Sequence, residues 1–274
     1  MDLTLTPAQI QFFGTFGFLS FPGLLADRIA AITAEFETVL SNAHPEHNGT
    51  ARSCLVPFID QSEQLSGLLD DPRIHGIAAS LLGKDFNYLG SDGNYYVGDT
   101  GWHSDGWNLI GIVHLKIALY LDPLTGPTGA LRVIPGSHRV GDSFAQTLQK
   151  EISTSPEKWG VAGNAVPAVA LDTQPGDILV FNHNLKHASF GGNKRRRMFT
   201  INLSQRYPAE HLNALRDYIG GHARFWLDRV YGEKMVATAG PQRRVHLEQP
   251  SANDGHLAEL SRQARAKTKE PSRG

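Results

Sequence analysis

A histidine and an aspartate stand two positions apart in the stretch "YYVGDTGWHSDGWNLIG", as His103 and Asp105. Residues i and i+2 of an extended strand project from the same face. The spacing therefore brings one imidazole and one carboxylate to one side of a sheet. Such a pair suits a surface salt bridge, an acid/base dyad, or a metal site that takes a third ligand from elsewhere in the chain.

A candidate third ligand follows another predicted strand. His187 lies just beyond the β-rich run "DILVFN" and ahead of a pair of glycines. His183 is the alternative, because "HNLKH" would place both histidines on one face of a helix; the preceding strand favours His187. Two imidazoles and one carboxylate on one face of a metal leave coordination positions open, which is diagnostic of non-haem Fe(II) oxygenases.

Short strands would have to position these residues. Between Phe86 and Tyr207, β-rich runs alternate with turns of Gly, Pro, Asp and Asn, which is typical of an all-β barrel or sandwich. Helical patterns flank this region on both sides. We expect one domain over residues 1–274, made of N-terminal helical support (1–85), the β core (86–207), C-terminal helices (208–246) and a polar, partly disordered tail (247–274).

Composition narrows the classes of partner and the compartment. A formal charge of −1 and a pI near 6.9 give no reason to expect binding to nucleic acid or to an anionic membrane. The chain opens without a charged-then-apolar leader and has no apolar run of about 18 residues. The single cysteine, Cys54, suits a reducing compartment, so we expect a cytoplasmic protein. Nothing in the sequence predicts the oligomeric state.

Four ordered motifs carry a resemblance to a known family. "WHSD", "LYLDPLTGPTGALRVIPGSHR", "PGDILVFNHNLKHAS" and an arginine-bearing strand follow one another between about Asn94 and Leu203, and "LTPAQIQFFGTFGFLSFPGLL" resembles the usual opening. Together they resemble the phytanoyl-CoA dioxygenase family of Fe(II)- and 2-oxoglutarate-dependent oxygenases. The resemblance implies a mainly β protein with flanking helices around a double-stranded β-helix, a jelly-roll or cupin-like core.

The resemblance also implies roles for particular residues. His103, Asp105 and His187 would be the metal ligands and the catalytic centre. The family places an arginine on the last core strand, where it binds the distal carboxylate of 2-oxoglutarate. Three arginines precede that strand in "KRRRMFTINL".

The choice among those arginines rests on strand alternation. If Phe199, Ile201 and Leu203 face the core, Arg197 shares their face, so we expect Arg197 to bind 2-oxoglutarate. Arg196 remains the alternative, because the loop after His187 is one residue shorter than the family pattern. Lys116, on the strand after the HxD motif, is a second alternative.

Further residues are expected near the reacting groups. Asn94 and Tyr96, on the strand leading to the HxD motif, are expected to touch cosubstrate or substrate. Trp107 shares parity with His103 and Asp105 and is expected to line the pocket. Arg132 is a candidate for gripping an acidic substrate. We expect segment 208–246, with its aromatic residues Phe225, Trp226 and Tyr231, to pack beside or over the barrel mouth.

The activity implied is an O2-dependent hydroxylation that releases succinate and CO2. Near-neutral charge favours a small polar metabolite or biosynthetic intermediate over a large polyanion. Desaturation, epimerisation or ring closure with the same cofactors is an alternative outcome. A cupin-like metal enzyme without 2-oxoglutarate and a non-catalytic binding protein are alternatives from other classes.

Overall fold

The computed structural model describes residues 3–106, 110–192 and 194–273. The strands are β1 (Phe18–Phe21), β2 (Ser53–Leu55), β3 (Asn87–Tyr96), β4 (Thr100–His103), β5 (His114–Tyr120), β6 (Leu131–Val133), β7 (Val169–Leu171), β8 (Ile178–Asn182), β9 (His187–Ser189) and β10 (Arg196–Ser204). The α-helices are α1 (Pro7–Phe16), α2 (Ile29–Ala43), α3 (Glu63–Ser66), α4 (Pro72–Leu82), α5 (Ser143–Glu151), α6 (Ser155–Trp159), α7 (Leu212–Gly220), α8 (Glu233–Ala237), α9 (Pro241–Ala252) and α10 (Leu257–Lys267). Short 3₁₀ segments link several of them.

Among the described residues, the strands form two antiparallel sheets. The major sheet has six strands in the order β1-β8-β5-β10-β3-β2, and the minor sheet has four in the order β4-β9-β6-β7. Non-consecutive strands are neighbours in both, as expected when one chain winds two sheets together. The mainly β class and the double-stranded β-helix core are confirmed.

Side chains from both sheets fill the space between them. Tyr120, Phe181 and Met198 of the major sheet pack against Leu131 and Leu171 of the minor sheet. Because alternate residues of a strand point to opposite faces, the same three major-sheet strands also present apolar side chains outward. The largest core of the protein lies on that outer face, between the major sheet and the helices.

Helices at both ends of the chain cover the outer face of the major sheet. α1 begins at a capping box, with the Thr6 side chain accepting from the Gln9 backbone N–H, and it ends at Gly17 with φ +86°. Ile32, Phe36 and Leu40 of α2 are fully buried on one face of that helix. The helical layer therefore fixes the major sheet from outside and leaves its inner face for the site.

The C-terminal region is more ordered than the sequence suggested. We expected residues 247–274 to be a partly disordered tail, but α9 and α10 are helices whose Leu247, Leu257 and Ser261 are buried. The high polar content of this segment belongs to the exposed faces of two helices packed on the core. No helix in the described ranges combines the length and the apolar character needed to cross a membrane.

Candidate metal centre and active site

Two neighbouring strands of the minor sheet bring the predicted metal ligands together. His103, the last residue of β4, is paired directly with His187, the first residue of β9. Asp105 follows His103 by two residues and returns to the same side. One ligand atom from each of the three side chains lies within 4.8 Å of the other two. The structure thus places the three residues that the sequence analysis named beside one another, and His183 is not part of the group.

Backbone carbonyls orient both imidazoles. The Nδ1 atom of His103 lies 2.8 Å from the carbonyl oxygen of Gly101, and Nδ1 of His187 lies 2.9 Å from that of Leu185. A neutral ring in this position donates from Nδ1 to the carbonyl, which leaves Nε2 as the atom that can bind a metal. The two rings are close, with centroids 4.2 Å apart.

Charge and burial hold Asp105 and His187 in metal-binding protonation states. Burial alone would raise the pKa of Asp105, but the Lys116 ammonium 3.0 Å from its Oδ1, helped by His187, holds that pKa well below its usual range. Burial, together with nearby His103, lowers the pKa of His187 to about 3. An ionised carboxylate and neutral imidazoles are the forms that coordinate a metal. The donor set therefore fits a divalent iron centre.

A small cavity of about 50 Å³ adjoins the three ligands and contains a buried guanidinium. Arg196 lines this cavity and donates from Nη1 to the carbonyl oxygen of Gly129 at 2.9 Å and to Oγ of Ser189 at 2.6 Å. Its Nε atom is buried and has no hydrogen-bond partner among the described residues. Within those residues Arg196 also forms no ion pair. Burial lowers the pKa of Arg196, which marks the unfavourable desolvation of this cation.

The prediction that Arg197 faces this cavity is wrong. Its guanidinium lies on the opposite face of β10, where it pairs with Asp122 and with Glu37. The parity argument failed because Phe199 and its two alternate neighbours pack against the outer helical layer and not between the sheets. Arg196, the alternative, shares the inner face with Met198.

Lys116 and Tyr96 both line the small cavity, whereas Asn94 does not. Asn94 is buried beside them; its amide donates to Asp92 at 2.7 Å and accepts from Nε of Arg52 at 2.8 Å. The expectation that Asn94 touches cosubstrate or substrate directly has no support from the cavity linings. Its contacts are with two residues that do line the larger cavity.

Arg132 lies away from the site. Arg132 points away from the inter-sheet space, donates to the carbonyl oxygens of Asn164 and Gly126, and lies 5.5 Å from the ring of Phe190. The prediction that Arg132 reaches the site is wrong, because Leu131 is the residue of β6 that lines the cavity. Trp107 lies outside the described residues.

A larger cavity of about 740 Å³ opens on the other side of the ligands. It shares His103 and Asp105 with the small cavity, so the two spaces meet at the candidate metal centre. The C-terminal segment after β10 forms one wall, as expected, through Tyr218, His222 and Phe225. Trp226 and Tyr231 do not line it; Tyr231 is buried and donates to the backbone oxygen of Tyr88.

Sequence reasoning missed several cavity residues. Thr200 and Asn202 follow Arg196 at even spacing on β10 and share its inward face, so the correct choice of face would have identified them. Arg52 and Asp92 come from separate segments and carried no signal of their own. His222 lies in a 3₁₀ segment, Gly221–Phe225, whose docking only the tertiary structure defines.

Comparisons with known proteins agree with this arrangement. The family model of phytanoyl-CoA dioxygenase (PhyH) matches residues 13–198. The ectoine dioxygenase of Sphingopyxis alaskensis is 32% identical over 152 residues, which cover 48% of this chain and 50% of that protein. The chain thus spans about half the length of the curated relative it matches.

Solved structures show the same fold. The crystal structure of EctD from S. alaskensis with 2-oxoglutarate and 5-hydroxyectoine has a TM-score of 0.56 at 22% identity, covering 73% of this chain and 76% of that one. The α-ketoglutarate-dependent carbocyclase SnoK from nogalamycin biosynthesis has a TM-score of 0.58 at 18% identity, covering 75% and 87%. The family match spans more than half of the chain, and we conclude that the chain belongs to the phytanoyl-CoA dioxygenase (PhyH) family.

Proposed function

We propose that this protein is an Fe(II)- and 2-oxoglutarate-dependent oxygenase that acts on a small molecule, by hydroxylation with release of succinate and CO2. The observation that carries the proposal is the convergence of His103, Asp105 and His187 within 4.8 Å, beside a buried arginine without a carboxylate partner in the described residues. Membership of the family supports the same activity.

The three ligand side chains would hold ferrous iron through Nε2 of each histidine and an Asp105 oxygen. When bound, the iron supplies the centre at which O2 is activated while 2-oxoglutarate loses CO2. Lys116 has a separate task, because its ammonium keeps the Asp105 carboxylate ionised in an enclosed site. Removing that ammonium would let a proton compete with the metal.

Arg196 is the residue we propose for the distal carboxylate of 2-oxoglutarate. A buried guanidinium is costly to desolvate and is best stabilised by a carboxylate, with which it forms charge-assisted hydrogen bonds. Ser189 and Gly129 hold one edge of the guanidinium, and its Nε remains available. Tyr96 packs beside it, with the Arg196 guanidinium carbon 5.1 Å from the ring centroid.

The substrate would occupy the larger cavity, next to the metal ligands that both cavities share. A volume of about 740 Å³ is within the range of pockets that enclose metabolites. The protein's contribution there is to orient the reacting bond and to exclude water.

The test is a succinate assay with purified protein, Fe(II), 2-oxoglutarate and O2. We expect succinate formation by the wild type, no formation above background by His187→Ala, and stimulation by the substrate in a metabolite screen. Mass analysis of the product distinguishes hydroxylation, a gain of one oxygen, from desaturation or ring closure, a loss of two hydrogens, and from epimerisation, no mass change. A wild type that binds Fe(II) but never converts 2-oxoglutarate would contradict the proposal.

A further inference from the structure

The larger cavity contains a second arginine that no carboxylate in the described residues neutralises. Arg52 lines this cavity, is half-buried, and takes part in no ion pair found among those residues. Its Nε donates to Asn94, and one terminal nitrogen makes only a long contact of 3.9 Å with Sγ of Cys54. Its terminal N–H groups are thus available to an anion. Arg224, which also lines the cavity, is exposed to solvent and stacks 4.6 Å from the ring centroid of Phe225.

The position of Arg52 is fixed from two sides. Its guanidinium carbon lies 4.1 Å from the ring centroid of Tyr96. The Asn94 amide that accepts from Nε is itself held by Asp92 at 2.7 Å, and the other oxygen of Asp92 accepts from Thr200. Both oxygens of Asp92 therefore accept hydrogen bonds from side chains of β3 and β10. The Arg52 guanidinium is held in place, but no carboxylate among the described residues forms an ion pair with it. A guanidinium held in this way is prepared to bind a carboxylate or phosphate group.

β10 and the C-terminal segment offer neutral hydrogen-bonding groups to the same cavity. Nδ1 of His222 is buried and has no hydrogen-bond partner in the described residues. Asn202 lines the same cavity, with its side chain close enough to the His183 ring to interact with it. Asn202 and His222 lie near one another because both adjoin Gly90. The amide of Asn202 donates to the carbonyl oxygen of Gly90 at 3.3 Å. The His222 ring lies beside the same glycine, where an added Cβ would be 3.6 Å from it. Burial, with nearby Arg224, lowers the pKa of His222 to about 4, so the ring is neutral at pH 7. A buried polar atom such as Nδ1 of His222 is normally paired, and a polar ligand would pair it.

We infer that the substrate is a small polar molecule with an anionic group, carboxylate or phosphate, that Arg52 binds, and with a neutral hydroxyl or amide that Asn202 and His222 bind. This inference rests on the proposed function and adds the substrate class to it. Arg52 would be a specificity-determining residue. It lies in the segment before β2, within the region that the family model matches, whereas Asn202 and His222 lie beyond that region.

The test uses matched pairs of small molecules on the iron-loaded protein. Each pair has a carboxylic acid and its amide, or a phosphate monoester and its parent alcohol, and the readout is succinate released above the rate without additive. For the stimulating pair we expect a KM about 10- to 100-fold lower for the anionic member, the range for hydrogen bonds to charged groups. Which pairs respond distinguishes carboxylate from phosphate.

Variants then assign the preference to Arg52. Arg52→Gln should remove the preference for the anionic member, and Arg52→Lys should restore part of it. Arg195→Gln is the matched control, because Arg195 stacks 4.3 Å from the ring of Tyr95, the neighbouring strand residue on the outer face; it should keep the preference. His222→Phe should raise the KM of both members of a pair, since it keeps the ring and removes the hydrogen bond.

Three results would overturn the inference: a preference that survives Arg52→Gln in a folded protein, stimulation by neutral members alone, or no stimulation by any anion while uncoupled succinate formation is present. A wild type that forms no succinate under any condition would instead refute the proposed function. Succinate formation by the wild type without any additive therefore distinguishes failure of the inference from failure of the proposed function.

Discussion

At the scale of single residues, the site is defined by the protonation states that burial and one lysine impose. His187 is neutral because burial opposes its charged form, and Asp105 is ionised because Lys116 compensates for its burial. The same reasoning separates two adjacent arginines. Arg197 has two carboxylate partners on the outer face of β10, whereas Arg196 has none among the described residues on the inner face.

Arg196→Gln tests the proposed binding of 2-oxoglutarate. A hydrogen bond to a charged group contributes about 1.5–3 kcal/mol, so the KM for 2-oxoglutarate should rise about 10- to 100-fold. Arg197→Gln is the matched control, one residue away on the same strand, and should leave that KM within about twofold. Both values come from succinate formation at varied 2-oxoglutarate. An equal rise in the two variants, or a rise only in Arg197→Gln, would contradict the assignment.

At the scale of elements, strand pairing could be predicted in part. The HxD spacing predicts that His103 and Asp105 face one side, because period-two alternation is a local property. Asp105 keeps that side although β4 ends at His103. The orientation of β10 was not predictable in the same way. β10 is covered on both faces, with Phe199 packed outward and Met198 packed inward, so its apolar residues do not reveal which face the cavity occupies.

A substitution at Gly129, in the loop before β6, tests whether the close approach of this loop positions Arg196. Gly129 has φ +98°, and a Cβ there would lie 2.1 Å from Nη1 of Arg196. We expect Gly129→Ala to lower the free energy of unfolding and to raise the KM for 2-oxoglutarate by about tenfold through displacement of the guanidinium.

Gly141→Ala is the control for backbone strain in that experiment. Gly141 has a similar φ of +85°, but a Cβ there meets nothing within 4 Å. It should lose about 1–2 kcal/mol of stability and keep the wild-type KM. Urea unfolding and succinate kinetics measure the two effects; an unchanged KM in Gly129→Ala would show that the loop does not position Arg196.

At the scale of the whole molecule, the helices at the ends of the chain do more than cover the sheet. α7 and the 3₁₀ segment after it form a wall of the larger cavity, and α9 and α10 pack behind them. The sequence predicted the location of the first pair, because a helical pattern with aromatic residues follows the last core strand. It failed for α10, because a helix with few buried side chains resembles a solvated tail in composition.

The pH dependence of stability reports on the buried histidines of the folded chain. Burial, with nearby His183, lowers the pKa of His114 to about 3, and burial lowers that of His183 to about 4. Between pH 6.5 and these values the unfolded chain binds protons that the folded chain excludes. Stability should therefore fall as the pH decreases through this window, by up to about 1.4 kcal/mol per pH unit for each histidine.

His114→Gln should reduce that slope by about one proton between pH 6 and pH 4.5. His114 suits the test because it lies outside the metal ligands and pairs with the hydroxyl of Tyr207. Urea unfolding of the metal-free protein at a series of pH values measures the slope. A variant with the wild-type slope would show that His114 is already charged in the folded state.

The central claim is that His103, Asp105 and His187 together hold one ferrous ion that 2-oxoglutarate can also reach. Anaerobic titration with Fe(II), followed by addition of 2-oxoglutarate, tests it through iron stoichiometry and a visible metal-to-ligand charge-transfer band. We predict one iron per wild-type or His183→Asn chain, a band on adding 2-oxoglutarate to the wild type, and neither signal in His187→Ala. Undiminished iron binding and an undiminished band in His187→Ala would contradict the account.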